Sequence, residues 1–272
     1  MQLKATCQMT VTAATPTPLI AMLRPRRSAN QWAVSETFET QPPVDMLPYI
    51  DSYGNHCQRM VLPAGETAID VELVMNVDDH IAVAPDAPWT PIDQLPDDAL
   101  LFLLPSRYCP SDKMADKAKE VVGDAPRGYA QVERIRAWIH ANLEYRYGVS
   151  DATTDAQDTL AHGAGVCRDF SHVGMALCRA LRIPARMAVG YLHQLDPMDL
   201  HAWFEAYVGG QWYTFDATQS APRGGRIVLA YGRDAADVAF ISDYAEQSLE
   251  MGEMNVAVSL VEESQAPAPA MA

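Results

Sequence analysis

The stretch 163–192, GAGVCRDFSHVGMALCRALRIPARMAVGYL, decides the reading of this chain. Two glycines and a cysteine stand directly ahead of a helical apolar pattern. Phe170, Val173, Leu177 and Leu181 recur at three- and four-residue spacing. Pro184 ends the helix, and ARMAVGYL then reads as a strand. Cys167 therefore falls at a helix start, where unpaired backbone N–H groups and the positive end of the dipole favour a thiolate. Gly163 and Gly165 let backbone come close to a substrate, and the Cys167 N–H is placed to help hold an oxyanion. A single cysteine ahead of a helix is more often a small packed hydrophobe, so a nucleophile needs partners elsewhere.

Those partners are sought in HAWFEAYV (201–208) and QWYTFDAT (211–218), two strand-like runs separated by Gly209-Gly210. Two glycines suit a two-residue hairpin turn. With them as the loop, Val208 faces Gln211, Trp203 faces Asp216 and His201 faces Thr218. Alternation puts His201, Trp203 and Asp216 on one face. His201 and Asp216 become diagonal neighbours, about 7 to 8 Å apart at the backbone, a gap their side chains can close. A carboxylate that holds an imidazole fixes its tautomer and stabilises its protonated form. A nucleophile at a helix start with a His–Asp pair on a sheet is the layout of thiol acyl transfer.

The order Cys, His, Asp, with separations 201−167=34 and 216−201=15, resembles the transglutaminase-like superfamily and its papain-like core. DSYGN (51–55), LLPSRYC (103–109) and GRDAADVAF (232–240) look like bacterial members of the cysteine-protease type with an N-terminal β domain. The resemblance implies Cys167 as nucleophile, His201 as general base and acid, and Asp216 as its orienting partner. It also implies a second oxyanion donor upstream of the cysteine, for which Tyr145, Tyr147 and Gln157 are candidates. The implied reaction is amide hydrolysis through a thioester acyl-enzyme on a peptide or protein substrate. Transfer of the acyl group to an amine, an arylamine-type acyl transfer, and a non-catalytic binding scaffold on the same fold are the alternatives. The chemistry calls for no metal and no organic cofactor.

The rest of the chain sets bounds. AIDVELVMNV (68–77) alternates as a half-buried strand, and Gly54-Asn55 reads as a hairpin turn pair. The expected fold class is α+β: an N-terminal β-sandwich over 1–95, then a papain-like catalytic region with C-terminal strands over 96–260, then a disordered tail over 261–272. The prolines between 85 and 110 mark the crossing. A net charge of −15 repels phosphate backbones and argues against nucleic acid as a partner. Five cysteines, Cys7, Cys57, Cys109, Cys167 and Cys178, show neither disulfide nor zinc spacing. No apolar run of about 18 residues is present to span a membrane. With no charged start followed by an apolar block, the N-terminus reads as lacking an export signal, and the expected location is the cytoplasm. Cys178 reads as core. His162, His172 and Arg168 read as structural, and Asp169 as a helix cap.

Overall fold

Period-two alternation of apolar residues builds the N-terminal part. The computed structural model describes residues 1–245 and 249–261. The strands are β1 (Gln2–Ala13), β2 (Thr17–Ala21), β3 (Gln31–Gln41), β4 (Leu47–Ile50), β5 (His56–Leu62) and β6 (Gly65–Val77). In β6, Ile69, Val71, Leu73 and Met75 are all buried, as alternation requires. The β4–β5 hairpin turns through 51–55. The chain then crosses over through α1 (Asp97–Leu100) to α2 (Ala115–Val122), α3 (Tyr129–Asn142), β7 (Glu144–Tyr145), α4 (Ala156–His162), β8 (Ala164–Gly165) and α5 (Cys167–Ala180). Strands β9 (Ala185–Leu192), β10 (His201–Val208), β11 (Gln211–Phe215), β12 (Arg226–Gly232), β13 (Ile241–Asp243) and β14 (Glu250–Leu260) follow.

Two sheets, ordered β14-β1-β6-β3 and β13-β2-β5-β4, share one apolar core and form the sandwich. The last two strands were expected with the catalytic region. They pair instead with the sandwich, β13 with β2 and β14 with β1. Nothing in a strand's own sequence names its partner, and each covers an edge of β1 or β2 that would otherwise carry unpaired backbone groups. The expected tail falls outside the described residues from 262 onward.

The third sheet, β11-β10-β9-β12, is antiparallel and carries α5 on one face. Ala202, Phe204 and Ala206 of β10 join α5 and α3 in a second core. Gly174 makes that contact possible: a Cβ there would sit 2.5 Å from the Phe204 ring. Burying a stripe such as Phe170, Val173 and Leu177 contributes about 1.5 to 3 kcal/mol per side chain.

Of the three stretches outside the core motifs, 51–55 and 232–240 tie the third sheet to the sandwich, while 103–109 ties α5 to the segment after β12. Asn55 is wholly buried and donates to the Tyr231 carbonyl (2.8 Å), while its side-chain oxygen accepts from Tyr231 N (2.8 Å) and Arg26 (2.7 Å). The Tyr53 hydroxyl donates to Asp237 at 2.8 Å. The Tyr108 amide donates to Asp234 at 2.8 Å. Buried Arg179 of α5 donates to Ser106 (3.0 Å) and to the Arg233 carbonyl. Apolar packing alone is undirected, and these bonds fix the angle between its layers.

Candidate active site

Three local devices fix Cys167 at the first turn of α5. Strand β8 pairs in parallel with β7 and delivers the chain to Val166. Asp169, fully buried, accepts from the Val166 amide at 2.9 Å, so it caps the helix as expected. Arg168 in turn binds the other Asp169 oxygen at 2.9 Å. Gly165 is required by this cap, because a Cβ there would lie 2.7 Å from the Asp169 Cβ. Cys167 is partly exposed, whereas Cys7, Cys57, Cys109 and Cys178 are buried. Burial pushes the Cys7 thiol up to about 11 and the Cys109 thiol up to about 12, and it raises Cys57 and Cys178 as well.

The hairpin brings in the imidazole. Gly209 and Gly210 adopt φ of 58° and 86°, the left-handed pair that a tight two-residue turn needs. Val208 pairs with Gln211 and Phe204 with Phe215, the register expected from the sequence. His201 Nε2 then lies 2.8 Å from Asp216 Oδ2, with both side chains almost completely buried.

The Asp216 carboxylate is saturated. Oδ2 also accepts from Arg226 Nη2 at 2.9 Å, and Oδ1 accepts from Thr218 N (3.0 Å) and Thr218 Oγ1 (2.7 Å). Burial works against its charge. Arg226 first, then His201 and Thr218, reverse that and hold the carboxyl far below the usual range. Burial likewise opposes charge on His201. The Asp216 carboxylate outweighs it, the neighbouring Cys167 sulfur adds to the effect, and the imidazole is pushed up to about 9. His201 is thus an imidazolium at neutral pH, next to a sulfur.

Of the candidate oxyanion donors, Tyr145 is the one beside the cysteine. Burial, the Cys167 sulfur and Tyr147 raise its phenol far above the ordinary value, while the Cys167 backbone amide opposes that rise. Tyr147 packs edge-on against Tyr145 at 5.6 Å, and Gln157 is exposed on α4. His172 stacks on Tyr108 and accepts from Ala235 N at 3.2 Å, and burial lowers its pKa to about 3, so it is a neutral packing group. His162 is exposed at the end of α4. Sequence reading missed Thr218 and Arg226. The hint for Arg226 was a charged residue heading the apolar strand RIVLAYG. Among the described residues no three His, Cys, Asp or Glu side chains group to hold a metal ion.

Residues 115–217 match the family model of the transglutaminase-like superfamily. The crystal structure of a candidate cysteine protease from Cytophaga hutchinsonii superposes with a TM-score of 0.90 at 35% identity, covering 95% of this chain and 90% of that one. The chain belongs to the transglutaminase-like superfamily. It is also similar to an uncharacterized protein of Mycobacterium leprae, 28% identical over 233 residues, which spans 80% of this chain and 83% of the relative. An uncharacterized protein of Mycobacterium tuberculosis strain H37Rv is 27% identical over 271 residues, covering 88% and 85% respectively. No helix among the described residues is long and apolar enough to cross a membrane.

Proposed function

We propose that this protein is a cysteine-dependent amide hydrolase acting on a peptide or protein, with Cys167 as nucleophile, His201 as proton carrier and Asp216 as orienting carboxylate. The carrying observation is the buried 2.8 Å His201–Asp216 bond at Nε2, which leaves Nδ1 as the ring nitrogen for the thiol. The likeness to the Cytophaga hutchinsonii protein supports a protease-like activity over other uses of the fold.

In this reading the Cys167 thiolate attacks the amide carbon, and the carbonyl π electrons move to oxygen. The Cys167 amide and the Tyr145 hydroxyl stabilise the oxyanion. As the C–N bond breaks, the His201 imidazolium gives its proton to the leaving amine and a thioester remains. His201, now neutral, takes a proton from water as it attacks the thioester. The acid leaves and the thiolate–imidazolium pair is restored. Asp216 stays ionised throughout. The division into a sandwich and a catalytic unit belongs to the same proposal: the sandwich buttresses the sheet that carries His201.

The test is a mass-spectrometric screen of peptide pools, comparing the intact protein with Cys167→Ala. New peptide termini or deamidated products that need Cys167 are expected. Identical product lists from the two proteins would contradict the proposal.

A further inference from the structure

One carboxylate oxygen serves two cations in this fold. Asp216 Oδ2 lies 2.8 Å from His201 Nε2 and 2.9 Å from Arg226 Nη2. Three strands of the catalytic sheet supply the groups: His201 heads β10, Asp216 follows directly on β11, and Arg226 heads β12. All three residues are almost completely buried, so solvent ions screen them little. The Trp203 ring abuts both cations, 4.8 Å from the Arg226 guanidinium carbon and 6.1 Å from the His201 ring centre.

The guanidinium is committed to that oxygen. Nε donates to the Arg223 carbonyl at 3.0 Å, and Nη1 is buried with no hydrogen-bond partner among the described residues. Asp216 is the one carboxylate that Arg226 pairs with among those residues. Other charges nearby are taken up elsewhere. Glu205 pairs with Arg186 at 2.6 Å. On α3, Glu133 pairs with Arg136 at 2.6 Å, and both line a small space with Asp216 and Arg226. Asp78 and His80, from the segment after β6, line a cavity with Arg226. The remaining titratable neighbours of His201 are Cys167 at the start of α5 and Asp199 just before β10.

A carboxylate raises the proton affinity of an imidazole, and a second cation on the same oxygen lowers it again. With Arg226 in place, the Asp216–Arg226 pair is neutral before His201 takes its proton. Without Arg226 the same proton would settle beside an uncompensated anion. We propose that Arg226 is a positioning residue that acts through Asp216: by sharing Oδ2 with His201 it holds the carboxylate in place and loosens the imidazolium proton. Asp216 and Arg226 thus pull in opposite directions. The first makes His201 a cation at neutral pH, and the second keeps it able to give the proton up. In the proposed reaction that proton goes to the leaving amine, and a general acid works best when its pKa lies near the working pH. This consequence for rate rests on the proposed function; the division of one carboxylate between two cations does not.

Ring NMR of His201 across a pH titration tests the proposal, with the full-length Cys167→Ala protein as background and the signal assigned by its loss in His201→Gln. That background has no nucleophile and needs no substrate, so the result is separate from the proposed function, which thiol alkylation tests. Adding Arg226→Met should raise the His201 midpoint by about one pH unit. Arg226→Lys keeps the charge and should bring the midpoint most of the way back. A residue that merely packed the head of β12 would leave the midpoint in place. If Arg226→Met fails to fold, the unsubstituted guanidinium still decides. Its ¹⁵N signals should shift with the His201 midpoint, because Asp216 turns more fully to Arg226 once the imidazolium loses its charge. Three results would each overturn the proposal: an unchanged or lower midpoint in folded Arg226→Met, an equal rise in Arg226→Lys, or Arg226 signals indifferent to the titration of His201.

Discussion

Replacing Asp216 by asparagine tests the buried charge arrangement most severely. The side chain keeps its shape and can still accept from Thr218 through its oxygen. At the other position an amide NH₂ now points at two donors, His201 Nε2 and Arg226 Nη2, which sat 2.8 and 2.9 Å from a carboxylate oxygen. Breaking a buried ion pair on one side costs about 3 to 5 kcal/mol. For a protein of this size that is a fall in Tm on the order of 10 °C. The loss also has a pH signature. In the wild type His201 titrates at about 9 rather than 6.5, so its contribution to stability is complete below 6.5 and is lost as pH rises through 9. Asp216, held below its usual range, contributes above about pH 4 and loses that contribution only as pH falls through its lowered value. In Asp216→Asn burial of His201 is unopposed, and its pKa drops instead. The stability gap between the two proteins should therefore widen by about 3 kcal/mol as pH is lowered from 9 to 6.5. Thermal unfolding at both pH values measures it. Equal melting temperatures, or a gap indifferent to pH, would refute the charge assignment.

Other expectations are independent of that one. Gly165→Ala forces the new methyl against Asp169, 2.7 Å away, and should cost about 1 to 3 kcal/mol; by shifting the α5 cap it should also slow Cys167 chemistry, read as the alkylation rate. Asn55→Leu strips several bonds between the sandwich and the catalytic sheet and should lower stability by about 1 to 3 kcal/mol per group left unmatched, with chemical denaturation as the check. The acyl-enzyme should partition to water: a glutamine peptide with a labelled primary amine should give mainly free acid, and dominant Cys167-dependent amine incorporation would instead make the protein a transferase.

Much of the site was legible because short-range rules govern it. A glycine pair fixed the hairpin, the hairpin fixed the register, and the register placed His201 beside Asp216. The helix start at Cys167 followed from Gly165, the apolar stripe and Pro184. Arg226 was not legible, because its role depends on β12 lying at the opposite edge of the sheet from β11, with β10 and β9 between them. Tyr145 could be named as a candidate but not chosen, since its place beside Cys167 comes from the two-residue pairing of β7 with β8. The partners of β13 and β14 were hidden for the same reason: strand pairing over more than two hundred residues leaves no mark in either strand. Asn55 and Asp237 stood out in the sequence within motifs, and only the fold shows that they fasten one layer to another.

The claim that Cys167 is an activated nucleophile is tested most directly by limiting iodoacetamide at about pH 6.5, followed by peptide mapping of the folded protein. The other four thiols are buried and shifted upward, so Cys167 should be alkylated first. If His201 activates Cys167 as proposed, labelling in His201→Ala at that pH should slow by about tenfold or more. Equal labelling of Cys7, Cys57 or Cys109, or no change in rate on losing His201, would contradict the account and leave the fold as a binding scaffold.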